Sequence, residues 1–204
     1  MGLTKNDIKI YFHAIRDGDY QKVLALISSD KAYVYACNVS PPKKDDGQSG
    51  LQVAFKTGNF EIARLLIEEG ADVNFIEKSE INEWTTPVLH DCVRAAIFNT
   101  YTLQKDTIMF QKSYSLLQLM LSRKADPNLL DSYGNSSLHR AIMDSRQMIT
   151  HPGSDLSNGI LLEQLRTLFK EMINAGADIN RDTEKRPSAS KMMANFRLEQ
   201  YELW

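Results

Sequence analysis

The sequence predicts an all-α protein, a solenoid of four helix pairs closed by a C-terminal capping half-unit, with no sheet beyond short hairpins in the loops between pairs. Three observations predict it. One five-residue phrase occurs three times, as Gly70-Ala71-Asp72-Val73-Asn74, Lys124-Ala125-Asp126-Pro127-Asn128 and Gly176-Ala177-Asp178-Ile179-Asn180. Each copy follows an apolar triplet at helical spacing: Ala63, Leu66 and Ile67, then Leu117, Met120 and Leu121, then Phe169, Met172 and Ile173. An N-terminal segment, Val23, Leu26 and Ile27 after Gly18-Asp19-Tyr20, repeats the pattern of the helix that follows Gly58-Asn59-Phe60.

In chain order, the amphipathic segment at residues 8–15 is expected to cap the N-terminal end of the stack. A second signature follows each phrase and is clearest in Asp131-Ser132-Tyr133-Gly134-Asn135-Ser136-Ser137-Leu138-His139-Arg140-Ala141. It resembles the ankyrin consensus DxxGxTPLHxA. Weaker copies are Gly47-Gln48-Ser49-Gly50-Leu51-Gln52-Val53-Ala54 and Thr86-Pro87-Val88-Leu89-His90-Asp91-Cys92, with a remnant at Ser188-Ala189-Ser190. The resemblance to ankyrin repeats is strong over residues 49–180 and faint outside them. It implies a single ankyrin-repeat domain over residues 1–204, with repeats near 5–36, 45–75, 85–129 and 134–180 and a cap at 185–204. Met192, Met193, Phe196 and Tyr201 of that cap are expected to face inward.

In such a repeat the Ser or Thr of the second signature caps the short inner helix, and a following Pro suits the first helical position, where no donor is needed. Ser49, Thr86, Ser136 and Ser188 take the capping slot. Gly70 and Gly176 end outer helices, where a left-handed residue costs glycine nothing. Lys124 stands in the same slot, so that end is expected to be strained or closed differently.

An ordinary repeat has a period of about 33 residues, yet Gly70 and Lys124 lie 54 positions apart and Lys124 and Gly176 lie 52 apart. Most of the excess falls between inner and outer helix of the third and fourth repeats. The two insertions are expected on one edge of the stack, opposite the fingers, touching each other. Residues 101–110, with Tyr101, Leu103, Ile108, Met109 and Phe110, are too apolar for a free loop. They either lengthen the helices or expose an apolar patch. The remaining excess enlarges the first finger, around Pro41-Pro42-Lys43-Lys44-Asp45-Asp46, and the second, around residues 77–84.

A net charge of -2 gives no general attraction to phosphate backbones or anionic lipid, so neither nucleic acid nor membrane is an expected partner. No stretch approaches a membrane span, and Lys5, Asp7 and Lys9 interrupt the N-terminus as a secretory signal. Cys37 and Cys92, without CxxC spacing, read as reduced apolar side chains in a cytoplasmic protein.

Candidate chemistry is sparse. His90 and Cys92, two apart on a helix, do not face each other and fill repeat slots. The resemblance implies that His90 and His139 brace fingers by hydrogen bonds. His13 and His151 show no metal partner at ligand spacing and read as solvent-facing. His151 with Asp155 is the one acid and imidazole pair within an insertion, and no GxSxG, P-loop, Rossmann glycine triplet or HExxH occurs. No catalytic residue, cofactor, metal or small-molecule substrate is expected.

By resemblance, the chain is expected to bind another protein through the groove of fingers and inner helices, as adaptor, scaffold or regulator; a dedicated inhibitor or immunity-type protein of one enzyme is the alternative, and an enzyme using the inserted segments is the third reading. Candidate partner-binding residues are Asp45, Asp46, Gln48, Asn82, Glu83, Trp84, Ser132, Tyr133, Asn135, Arg140 and Glu184. Aromatics among short polar residues suit an interface centre. Trp84 is either displayed there or packed under its own enlarged finger.

Overall fold

The structure is a computed structural model that describes residues 2–39, 42–103 and 105–204; Pro41 of the first finger lies outside them. Among the described residues it holds nine α-helices and no strand. The helices are α1 (Lys5–Asp17), α2 (Tyr20–Ser29), α3 (Gly50–Thr57), α4 (Phe60–Glu68), α5 (Val88–Phe98), α6 (Ile108–Ser122), α7 (Ser137–Ile149), α8 (Ile160–Asn174) and α9 (Ala189–Asn195). Short 3-10 turns cover Lys31–Tyr35, Lys43–Asp45 and Glu199–Tyr201.

Consecutive helices pack in pairs, α1 with α2, α3 with α4, α5 with α6 and α7 with α8. The first members also pack on one another, in the order α1, α3, α5, α7, α9, and the second members form the outer row α2, α4, α6, α8. Among the described residues, sheet-like pairing in the fingers is reduced to two antiparallel bridges, Cys37 with Ser49 and Ile76 with Pro87.

Local chemistry fixes the helix ends. Ser49 Oγ accepts from the Gln52 amide while the Gln52 side chain accepts from the Ser49 amide, satisfying two donors that a helix start would otherwise leave bare. Ser136 is bound similarly by the ring of His139, and Ser188 accepts from the Lys191 amide. Thr86 departs from its expected role. Helix α5 begins one residue late, with Pro87 at the cap, and the Thr86 hydroxyl donates instead to the Asp91 carboxylate at 3.5 Å. At the outer-helix ends, Lys124 adopts φ +68°, as left-handed as Gly70 (+93°) and Gly176 (+96°), so it carries the strain its sequence slot predicts.

The repeated phrase has a structural purpose that its residues alone do not announce. Its alanines, Ala71, Ala125 and Ala177, are buried. Each Asp accepts from the amide two residues on, shaping the turn. Each Asn then grips the next copy: Asn74 Nδ2 donates to the Lys124 carbonyl at 3.0 Å while its Oδ1 accepts from the Asp126 amide at 2.7 Å. Asn128 does the same to Gly176 and Asp178, at 2.8 Å for both bonds. The phrase is a ladder of latches along the stack.

The apolar stripes supply the core, with Ala63, Leu66, Ile67, Leu117, Met120, Phe169 and Met172 buried. Leu26, Leu121 and Ile173 are only half-buried. At the C-terminal end Met192 and Met193 are buried and Phe196 and Tyr201 half-buried. Leu198 and Leu203 complete that end, and Trp204 packs edge-on against Phe169.

Both insertions extend helices. Helices α6 and α8 each run 15 residues, against 9 for α4. The insertions meet on one edge: the Tyr101 amide donates to Gln164 at 2.7 Å, and the Lys105 ammonium donates to the Gly153 carbonyl. Phe110 is buried and stacks on Tyr114, whereas Leu103 and Ile108 are 47% and 64% exposed, so the segment both packs and shows an apolar edge. Gln104 between them lies outside the described residues.

Candidate functional site

The fingers precede α3, α5, α7 and α9 and are bonded to one another in sequence. The first meets the second where the Lys78 amide donates to the Gly47 carbonyl at 2.9 Å. Gly47 has φ +72°, and a Cβ there would stand 2.1 Å from the Ser79 nitrogen, so only glycine permits this approach. Ser79 Oγ also donates to Asp46 at 2.9 Å, and Asn82 Nδ2 donates to the Lys43 carbonyl. The second meets the third where the Ser132 amide donates to the Thr85 carbonyl, the Thr85 amide to Ser132 Oγ, and Ser132 Oγ to the Glu83 carbonyl. The third meets the fourth through Lys185 Nζ on the Ser132 carbonyl and Thr183 Oγ1 on the Gly134 carbonyl.

This stitching decides which candidate residues face solvent. Glu83, Tyr133 and Glu184 do, Tyr133 with 44% of its surface. Asp46, Asn82, Trp84, Ser132 and Arg140 are half-buried. Three expectations are corrected. Asp45 is buried under the first finger, its carboxylate accepting from Arg16 Nε at 2.7 Å, so it is a structural ion pair and not a rim acid. Gln48 is buried because its amide donates to the Lys44 carbonyl within the same finger. Asn135 is buried because both its backbone and side-chain nitrogens donate to Asp131.

Trp84 neither stands free nor packs under its own finger. Its Nε1 donates to Asp131 Oδ2 of the third finger at 3.0 Å, and the Arg140 guanidinium of α7 lies 5.1 Å from its ring centroid. Burial pushes the Asp131 carboxyl up, but hydrogen bonds from Asn135 and Trp84 outweigh it and hold the group below the usual carboxylate range.

The inner helices add charged residues that the candidate set lacks. Lys56 Nζ lies 3.7 Å from Asp91 and 3.9 Å from Glu77. Asp91 also accepts from Gln52 Nε2 at 3.0 Å, and Arg140 pairs with Asp144 at 3.4 Å. Burial raises the carboxyls of Glu77, Asp91 and Asp144, with Lys56 opposing it at the first two and Arg140 at the third. The sequence holds one clue to this row: Asp91 and Arg140 occupy the same slot, between the His and the small residue of the second signature.

The possible catalytic groups do not assemble. His139 Nε2 pairs with the Pro187 carbonyl at 2.7 Å and does brace the fourth finger. The ring of His90 makes no hydrogen bond of ordinary geometry; burial pushes its pKa down to about 4, outweighing the Asp131 charge and the Leu129 backbone of the third finger, which act on it weakly. Burial raises both thiols. His13 is exposed beside Asp17, and half-buried His151 accepts from the Gly153 amide. Asp155 is engaged by Ser157 and Asn158, and no ion pair joins it to His151. Among the described residues no group of three or more His, Cys, Asp and Glu stands close enough to hold a metal ion.

A family model described as "Ankyrin repeat" matches residues 46–78, the stretch from the first finger through α3, α4 and the first copy of the phrase. The "Ankyrin repeat and SAM domain-containing protein 6" of Danio rerio is 38% identical over 63 residues, which is 31% of this chain and 8% of that protein. The match therefore spans a small part of that relative's length.

Proposed function

Since this chain is an ankyrin-repeat protein, we propose that it is a protein-binding module, an adaptor, scaffold or regulator that takes its partner along the groove of fingers and inner helices. It acts by binding and not by catalysis. Its repeats are read as residues 5–36, 45–75, 85–129 and 134–180, stacked as a solenoid, with the cap at 185–204. Two free thiols, Cys37 and Cys92, suit the cytosol.

The observation that carries this reading is the bonding of the fingers into one continuous surface. A preorganised surface spares the ordering cost that flexible loops incur on binding. It presents Tyr133 and the edge of Trp84 among Glu83, Ser132, Arg140 and Glu184. Tyr133, exposed and central, is the energetic centre; Trp84 supports it from beneath.

The experiment is a pull-down from the native source with mass spectrometry, then surface plasmon resonance against the captured partner. Tyr133→Ala is expected to lose about 2 kcal/mol, roughly thirtyfold in affinity. Glu184→Ala is expected to change the association rate and its salt dependence and leave dissociation intact. Unchanged affinity in Tyr133→Ala and Trp84→Ala, with each variant shown by thermal melt to be folded, would move the site to the insertions.

A further inference from the structure

Away from the fingers, where α3 and α5 end, the inner helices leave a cleft of about 360 Å³ lined by Phe55, Lys56, Phe60, Asp91, Arg94 and Phe98. Its walls are aromatic, and its charges are sorted by depth. The acid is spent inward: Asp91 is buried, accepts from Gln52 and lies beside Lys56. The bases face outward. Lys56 keeps a third of its side chain in solvent, and Arg94 is exposed with its guanidinium 5.2 Å from the Phe98 ring centroid.

Arg94 acts on the core only at a distance, its charge lowering the buried carboxyls of Asp91 and Asp144 against the effect of their burial. No carboxylate lies within ion-pair distance of it among the described residues, since Asp91 and Asp144, on either side, are committed to Lys56 and Arg140. A cation near a helix C-terminus gains about 0.3–1 kcal/mol, but only within the last turn. Lys56 holds that place on α3, whereas the last turn of α5 carries no base and Arg94 stands before it. A planar guanidinium that no carboxylate contacts directly, held against an aromatic ring at the mouth of a cleft, has its donors open to a carboxylate from outside.

We propose that this cleft receives an extended acidic segment of the partner protein, with an Asp or Glu carboxylate on Arg94 and the neighbouring apolar side chain against Phe60 and Phe98. The inference rests on the protein-binding reading and adds a second anchor at the far edge of the same inner helices. The volume, near the lower end of the roughly 300–1,000 Å³ of ligand sites, suits a few side chains and excludes a folded element.

The test is selection of phage-displayed random dodecapeptides on the full chain, followed by fluorescence anisotropy of the enriched peptides. Sequences with Asp or Glu next to Phe, Leu, Ile or Met are expected, with binding tighter at low salt. Arg94→Glu should weaken them at least tenfold and Arg94→Gln by less, each checked by thermal melt because Arg94 also favours the ionised Asp91 and Asp144; Arg94→Lys, which keeps the charge and loses the planar fork, should weaken binding with its melt unchanged. Enrichment of basic or uncharged sequences, no enrichment, or full affinity in Arg94→Glu would overturn the proposal. Peptides that bind Arg94→Glu normally but are lost in Tyr133→Ala would retire the cleft and leave the finger surface standing.

Discussion

Replacing Lys124 by glycine is expected to stabilise the protein, and the structure sets the size of the gain. Lys124 holds φ +68° at the end of α6. A left-handed conformation costs an L-residue with a Cβ roughly 1–2 kcal/mol. Glycine removes that cost but adds about 0.5–1 kcal/mol of backbone entropy to lose on folding. The difference is about 0.5–1 kcal/mol in favour of Lys124→Gly. Nothing else is surrendered, because the contact to Asn74 uses the Lys124 carbonyl, which glycine keeps, and the side chain is exposed.

Gly176 supplies the reciprocal experiment. It has φ +96° and nothing within 4 Å of where a Cβ would lie, so Gly176→Ala isolates the backbone cost and should destabilise by a similar amount. Urea titrations followed by circular dichroism measure both. For a chain this long about 1 kcal/mol moves the melting temperature by roughly 2–4 °C. Loss of stability in Lys124→Gly, or no effect of Gly176→Ala, would refute the assignment of strain to this slot.

Asn128→Ala removes two bonds to the last phrase and should cost about 1–3 kcal/mol, with hydrogen exchange rising first in α8 and α9; a uniform rise would deny that the phrase couples neighbours. Leu66→Ala and Met172→Ala, both at fully buried sites, should cost about 2–5 kcal/mol, and half-buried Leu121→Ala should cost less in the same titration. His90 is held neutral by burial, with its pKa moved from 6.5 to about 4, so between those values the unfolded chain binds the extra proton. Its contribution is intact above pH 6.5 and fades as the pH falls towards 4. The raised carboxyls of Glu77, Asp91 and Asp144 act with the opposite sign, so the His90 part is read as the difference in slope between the wild type and His90→Gln.

Much of the fold was legible because its cues are local. The glycine-ended outer helices, the Ser49 and Ser188 caps and the paired insertions each follow from residues near in sequence. Thr86 was not legible. The hydroxyl that looks like a cap is drawn off by Asp91, and Asp91 is oriented by Gln52 and Lys56 from the preceding repeat. Asp45, Gln48 and Asn135 were misjudged because polar residues in an apparent loop read as exposed: Asp45 meets Arg16 of α1, while Gln48 and Asn135 turn back onto Lys44 and Asp131 of their own fingers. Arg94 and Lys56 gave no warning, since a charge on a short helix reads as a solvated face until a neighbouring helix makes it one wall of a cleft.

Trp84 shows why binding and stability are difficult to separate on this surface. Asp131 accepts from Trp84 Nε1, from the Tyr133 and Asn135 amides and from the Asn135 side chain. One carboxylate therefore shapes the third finger, aims Tyr133 into solvent and ties the second finger to the third. Trp84→Ala removes the ring from Arg140 as well as a donor from Asp131, so a loss of affinity there mixes contact with collapse of the support. Trp84→Phe keeps an aromatic face for Arg140 and removes only the donor. If the interface draws its energy from Tyr133, that substitution lowers stability while affinity follows only as far as the third finger loosens. The aromatic centre proposed for the interface is thus shared by the second and third fingers through Asp131, and neither finger carries it alone.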